Sequence, residues 1–360
     1  MTAKLELRDL EKRFDETVAV KKLSLSLEKG EFVSLLGPSG CGKSTTLAMV
    51  AGFETPTAGS ILVDGQSVEG LPPQRRRIGL VFQDYAVFSK LSVRANLAFG
   101  LEAKGVGRAE RAKAVQAIAE RLDLTNLLDR RGDRLNMSEM QRVAIGRVLV
   151  TEPQLVLLDE PMSNLDAALR ASLRGEMKLI QKQLQQTVLY VTHDQVEAMS
   201  MSDRIAVMSM GELQQIGTPE EIYRRPRNRF VAEFIGDPPI NLIACEVQTG
   251  GGQVAVTTAG HRGLVLGRGS APAGRHWLGI RPHDIRIGTG GSFPVRFLET
   301  LGAEEVLHVE YGGQLLQIVT PTGQAREGDR VSLQFDLRRA LLIDAGSDAV
   351  LPIESFGVAA

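Results

Sequence analysis

Residues 37 to 45 read GPSGCGKST, so Gly37, Gly42, Lys43 and Ser44 fill the spacing G-x-x-x-x-G-K-[ST]. Each residue type has a use in holding phosphate. Glycines let a turn close and bring successive backbone N–H groups onto phosphate oxygens, Lys43 supplies a point charge for the β and γ phosphates, and the Ser44 hydroxyl suits Mg²⁺. The flanks fit as well: Phe32 to Leu36 reads as a short buried strand, and Thr45 to Ala51 as a helix. A glycine-rich turn that binds nothing is the competing reading, and that strand and helix weigh against it. The expected ligand is a nucleoside triphosphate, with Gly37, Pro38, Ser39, Gly40, Cys41, Gly42, Lys43, Ser44 and Thr45 around it.

A phosphate loop needs a second half, and LVLLDEP at 155 to 161 offers an apolar strand that ends in two carboxylates. Adjacent acids pack poorly, but the C-terminal end of a strand is where α/β sheets place ligands. Alone, the pair would read as a solvated turn. Joined to the loop at residue 37, Asp159 is expected to hold Mg²⁺ and Glu160 to polarise an attacking water. Phosphoryl transfer needs little covalent help, so positioning and charge neutralisation should supply most of the rate.

The elements that must position these groups follow an alternating pattern. From residue 1 to about 235, strands alternate with helices, as a layered α/β domain requires. Ala168 to Leu184 is a helix with an apolar stripe at Leu169, Leu173, Met177, Ile180 and Leu184, which reads as core packing. It feeds a strand over Thr187 to Val191 that leads to His193. From about 241 the character changes: glycines at 250 to 252, 267 to 269 and 288 to 291 punctuate short strand-like segments such as Gly263 to Leu266 and Gln314 to Val319. That pattern predicts a small all-β, OB-like domain over 236–360, with the boundary near Gly236, Pro238 and Pro239. No short tandem repeat interrupts either part.

At 360 residues with a net charge of −1, the chain has room for two domains and no basic excess to hold nucleic acid, so no nucleic-acid partner is expected. Its longest apolar runs fall far short of the roughly twenty residues of a membrane span. MTAKLELRDLEKRF at the start lacks the apolar core of a secretory signal. Two cysteines, one of them inside the phosphate loop, fit free thiols in a reducing compartment. The arginines at 75 to 77 read as a solvated face.

Three further segments, VFQDY at 81 to 85, SNLD at 163 to 166 and VTHD at 191 to 194, stand in the order and spacing of ABC-transporter ATPase subunits, which the chain resembles. The later segments FVAEFIGDPPINLI, LGIRPHDI and GDRVSLQFD resemble the importer branch that serves sugars, glycerol phosphate, polyamines or ferric iron. The resemblance covers essentially the whole chain. It implies a P-loop α/β nucleotide-binding domain over 1–235 with a helical subdomain at about 88–150, ATP and Mg²⁺ as ligands, and ATP hydrolysis coupled to solute import, with a carbohydrate or polyol-like solute.

The same resemblance implies residue roles. Gln83 would touch Mg²⁺ or the attacking water and link the site to the helical subdomain. His193 would contact the γ-phosphate and hold water and Glu160 in line. Asp166 would lie in a loop crossing to a second subunit, and Phe14 would stack on adenine, although a core phenylalanine reads equally well. The implied partners are integral-membrane permease subunits, a second ATPase subunit that is either a paralogue or another copy, and, indirectly, an extracytoplasmic solute-binding protein. The implied place is the cytoplasmic face of a bacterial plasma membrane, held peripherally, with the all-β domain serving dimer contacts or regulation. A non-transport ATPase acting on DNA or the ribosome is a second reading, without the coiled coils or fused halves such relatives carry. A non-hydrolysing regulatory subunit is a third, against which Glu160 and His193 weigh.

One family segment is altered. These ATPases form composite sites in which the phosphate loop of one subunit faces a signature helix of the other, usually opening LSGGQ. Aligned without gaps, the equivalent residues are Leu135, Asn136, Met137, Ser138 and Glu139, and only the leucine matches. A shifted alignment on MSEMQ keeps Ser138 and Gln141 but needs a two-residue deletion, which would rotate the following stripe by about 200°. In the ungapped reading, Met137 and Ser138 add side chains where glycines let backbone N–H groups approach phosphate, with strain on the order of 1–3 kcal/mol if a glycine-like backbone is required. Glu139 is expected to repel the anionic ligand. Asn136 keeps a donor. The favoured consequence is a heterodimer in which this chain's own phosphate loop, Asp159, Glu160 and His193 face an intact signature on a related subunit.

Overall fold

Phe32–Leu36 and Val188–Thr192 are buried at every position, with no alternation of apolar and polar side chains. A strand covered on one face alternates, whereas one packed on both faces does not. The computed structural model describes residues 3–82, 84–163 and 165–355. By packing, the chain divides into two units, residues 1–219 and 220–360.

The first unit runs β1 (Leu5–Phe14), β2 (Thr17–Leu27), β3 (Phe32–Leu36), α1 (Lys43–Ala51), β4 (Ala58–Val63), β5 (Gln66–Ser67), β6 (Ile78–Val81), α2 (Val93–Ala103), α3 (Arg108–Arg121), α4 (Met137–Leu149), β7 (Leu155–Asp159), α5 (Ala167–Leu184), β8 (Val188–Thr192), α6 (Gln195–Met201), β9 (Arg204–Ser209) and β10 (Glu212–Gly217). Six strands form one sheet in the order β10-β9-β3-β8-β7-β6, parallel throughout except for β10 at its edge. Neighbouring residues of β3 face opposite layers. Val33 and Leu35 pack with Leu47 and Val50 of α1 and with the antiparallel sheet β2-β1-β4-β5, while Phe32 packs with Leu173 and Met177 of α5. The order β3-β8-β7 brings three parallel C-terminal ends side by side. From those ends emerge the loop after Leu36, the Asp159–Glu160 pair and His193.

Between β6 and β7, helices α2, α3 and α4 gather around their own apolar cluster, which includes Val93, Leu97, Val115, Ile118, Leu122 and Val143. A separate core explains why this segment forms a helical subdomain on the sheet rather than another βα layer.

The second unit opens with α7 (Pro219–Arg224), which starts at the division, and α8 (Arg229–Phe234). Its strands, between Asn241 and Ser355, pair into sheets of seven and four strands around one cluster that includes Ile243, Leu278, Leu307, Val331 and Leu342. The all-β expectation for this region holds. The expected boundary at 235/236 does not coincide with the packing division. The reason is Arg281, a buried guanidinium that donates to the carbonyls of Tyr223, Ala232 and Ile235 and so ties α7 and α8 to the strands.

Candidate nucleotide site

The loop from Gly37 to Gly42 leaves β3 and turns directly into α1. Two of its glycines are obligatory on steric grounds. A Cβ at Gly37 would stand 2.3 Å from the Met208 carbonyl oxygen, and one at Gly42, whose φ is +100°, would stand 2.5 Å from that of Ala19. Pro38, Ser39 and Gly40 are exposed, while Cys41 and Lys43 are buried. No side chain caps the start of α1, and no acidic residue lies in its first turn. Its first N–H groups are therefore available to an anion, as the site of a phosphate requires. Lys43 Nζ donates to the carbonyls of Gly37 at 2.7 Å and Pro38 at 2.9 Å, folding its charge across the loop. Thr46 Oγ1 donates back to Gly42 O at 2.9 Å and fixes the turn from behind. Thr45, between them, is half-buried. Burial holds the Cys41 thiol above its ordinary pKa, against the opposing charge of Lys43.

Across the sheet edge, Ser44 Oγ donates to Asp159 Oδ1 at 3.3 Å, so the two oxygen donors expected around Mg²⁺ are brought together. Partial burial raises the Asp159 pKa above its ordinary value; the Ser44 hydrogen bond opposes that shift, the Glu160 charge adds to it, and Lys43 opposes it. A half-buried carboxylate short of positive charge, beside a hydroxyl and a glycine cradle, fits a hard divalent cation that completes its shell with phosphate and water. Glu160 itself sits at φ +42°, unusual for a residue with a side chain. Its N–H is held by Val191 O at 3.0 Å, and its carbonyl accepts from Ser163 Oγ at 3.0 Å. The carboxylate so aimed meets His193 Nδ1 at 3.0 Å. Lys43, Ser44, Asp159, Glu160 and His193 thus form one continuous line at the C-terminal ends of β3, β7 and β8.

The remaining residues expected at the site are less uniformly placed. Asp166 caps α5, accepting from Leu169 N at 2.9 Å. Phe14 is 43% exposed at the end of β1, with Lys12 Nζ 4.6 Å from its ring centroid, which rules out the core-packing alternative. It pairs with Thr17, two residues before the Ala19 carbonyl that touches the phosphate loop. Gln83 lies outside the described residues, as does Asn164 of the SNLD segment.

The altered signature forms a regular helix start, which corrects two expectations. No residue from Leu135 to Glu139 adopts a left-handed backbone, so the expected strain is absent. Asn136 takes the N-cap position: its Oδ1 accepts from Glu139 N at 2.8 Å, and Glu139 Oε2 accepts from Asn136 N at 2.9 Å. Arg130 Nη1 lies 3.2 Å from Glu139 Oε1. The carboxylate is therefore turned onto its own helix and neutralised instead of projecting outward. An N-x-x-E spacing is the sequence sign of such a reciprocal cap. Arg76 is a further correction. Instead of joining a solvated face it is buried, and it donates to Met49 O at 2.7 Å, Val50 O at 2.9 Å and Leu71 O at 2.9 Å. It thereby satisfies carbonyls at the C-terminal end of α1, the helix that carries the phosphate loop.

The fold and this site define a P-loop nucleoside-triphosphate-binding domain. Residues 20–163 match the sequence model of the family described as ABC transporter. Over the whole length, the chain is 44% identical to a xylose/arabinose import ATP-binding protein of Haloferax volcanii, covering 95% of this chain and 94% of that one. It is 42% identical to a trehalose/maltose import ATP-binding protein of Thermococcus litoralis, covering 95% and 98%, and 41% identical to an sn-glycerol-3-phosphate import ATP-binding protein of Rhizobium johnstonii, covering 92% and 94%. Among solved structures, cbiO1 of Clostridium perfringens, part of the ABC transporter complex cbiONQ, aligns with a TM-score of 0.57 and 30% identity over 62% of this chain and 91% of that one. The chain belongs to the ATP-binding subunits of ABC importers and is an ATPase of that family.

Proposed function

We propose that this chain energises a carbohydrate or polyol-like importer, hydrolysing ATP at its own phosphate loop while a paralogous subunit supplies the facing signature. The line from Lys43 through Ser44, Asp159 and Glu160 to His193 carries the reading. Gly37 to Thr45 cradle the phosphates, Phe14 stacks on the base, and Lys43 exchanges its loop carbonyls for phosphate oxygens. Ser44 and Asp159 hold Mg²⁺, joined by Gln83 as the family resemblance implies. When bound, that ion neutralises charge on the phosphate oxygens. Glu160, aimed by its left-handed backbone, orients the attacking water, and His193 holds Glu160 from the other side. Asp166, at the start of α5, faces the second subunit.

The solute class follows the names of the relatives. The heterodimer follows from contrast within the chain: α1 presents an uncapped N-terminus, whereas α4 has filled its own with the Glu139 carboxylate. A helix start whose N-cap and third N–H groups are engaged internally, with a carboxylate in its first turn, offers less to a partner's γ-phosphate. The assembly would dock on permease subunits at the cytoplasmic face of the membrane, with a solute-binding protein outside. Phe53 and Phe82, both exposed with ring centroids 6.4 Å apart, give an apolar surface for that docking. Among the described residues, no helix is long and apolar enough to cross a membrane.

The deciding experiment is ATP turnover by the purified chain alone, by its Glu160→Gln variant, and by the chain co-expressed with the ATPase subunits encoded beside it. Turnover that depends on Glu160 and appears only with a second subunit is expected. Full activity from the chain alone would replace the heterodimer with a homodimer.

A further inference from the structure

Glu197 is 3% exposed, on α6, behind the line of site residues. Its Oε2 accepts from two hydroxyls, Tyr190 OH at 2.7 Å and Thr192 Oγ1 at 2.6 Å. Thr192 Oγ1 in turn accepts from Asp194 N at 2.9 Å. Asp194 Oδ1 then accepts from the N–H groups of Val196 at 2.8 Å and Glu197 at 3.1 Å, closing a ring of bonds around the peptide that carries His193. Thr192, before His193, is thus fixed to the Glu197 carboxylate directly, and Asp194, after it, through Thr192 Oγ1 and the Glu197 N–H.

The ring extends further. Arg170 on α5 donates through Nη1 to Asp194 Oδ2 at 2.9 Å and through Nη2 to Leu165 O at 2.9 Å, beside Asp166. Its Nε, 3.9 Å from Glu197 Oε1, makes no hydrogen bond among the described residues. The buried Tyr85 OH also has no hydrogen-bond partner among the described residues, and its pKa is pushed up to about 12 by burial and then by the Glu197 charge. Helix capping does not require Glu197, because Asp194 already caps α6. A buried carboxylate is costly to keep, and an apolar residue of similar volume usually serves stability as well. What the carboxylate adds here is connection: β8, the His193 peptide, Arg170 with the Leu165 carbonyl it holds, and Tyr85 all meet its field.

We infer that Glu197 is a positioning residue that sets His193 against Glu160 and couples that pair to the turn before Asp166. The inference rests on the hydrolytic reading of the site. It acts through His193 and Asp194 and touches no nucleotide.

The test uses the full chain in its active assembly and the Glu197→Gln variant, which keeps the length and the acceptor for Tyr190 and Thr192 but loses the charge facing Arg170. Turnover number is expected to fall roughly tenfold with the KM for ATP unchanged, as befits an interaction made through a catalytic pair. The imidazole signals of His193, assigned in the isolated chain with His193→Ala, are expected to move. An unchanged turnover number, a loss matched by weakened ATP binding and a lower unfolding temperature, or unmoved His193 signals would each overturn the inference. An assembly inactive even with Glu197 intact would refute the hydrolytic reading instead, and the imidazole signals would still decide the role of Glu197.

Discussion

Asp159 bears two opposed demands, since its burial favours the neutral acid while its place beside Ser44 suits a charged ligand for a cation. With its folded pKa above the unfolded one, the folded chain binds the proton more tightly. Stability therefore falls as pH rises from the ordinary carboxylate range through the raised value, and the penalty is complete above it. Asp159→Asn should remove that penalty. Without nucleotide, the variant is expected to unfold at a higher temperature than the parent at neutral pH, the gap closing as pH is lowered through the carboxylate range. ATP with Mg²⁺ should then stabilise the parent and leave the variant nearly unmoved. Thermal unfolding with and without ligand measures both effects. Single residues with a chemical job were the most legible part of the sequence, because phosphate chemistry prescribes both their types and their spacing. Arg76 was not, because its three carbonyl partners are chosen by tertiary packing, and neighbouring arginines at 75 and 77 made a solvated run the simpler reading.

At the scale of elements, the two helix starts that matter differ in what fills them. Replacing Asn136, Met137, Ser138 and Glu139 by Ser, Gly, Gly and Gln would leave a Ser-x-x-Gln cap in place but remove the Glu139 carboxylate and two side chains from the first turn of α4. The cost should be about 1–2 kcal/mol, from two glycines inside a helix. Denaturant unfolding of the quadruple variant should show that loss, while its ATPase activity without any second subunit should rise above that of the parent. A stability loss with no gain in activity would mean that the Glu139 carboxylate and the first-turn side chains of α4 do not limit closure. Long periodic elements were readable in advance: α5 starts one residue before the expected Ala168 and buries Leu173 and Met177 of its stripe. The start of α4 was read by what its residues lack relative to a family pattern. Capping depends on backbone geometry, which turned an expected repulsive charge into an internal bond.

For the whole molecule, the asymmetry predicts a count. An assembly of this chain with an intact paralogue should retain one hydrolysed nucleotide per pair under trapping conditions, and quantifying ADP per assembly would check it; two would place a working site on each side. Sequence reasoning placed the all-β region correctly but set its boundary at a proline- and glycine-rich segment, where composition changes. The division lies earlier because Arg281 binds carbonyls that precede that segment. The cap on α4 also has a consequence for what such a machine can accomplish. If each inward passage of solute is driven by one ATP rather than two, the largest concentration ratio it can sustain is the square root of that reached by a symmetric machine, because driving force enters the ratio exponentially. A bond of 2.9 Å between Glu139 and the Asn136 N–H would then set a ceiling on how far a cell can concentrate its food, in exchange for halving the fuel spent on every molecule taken in.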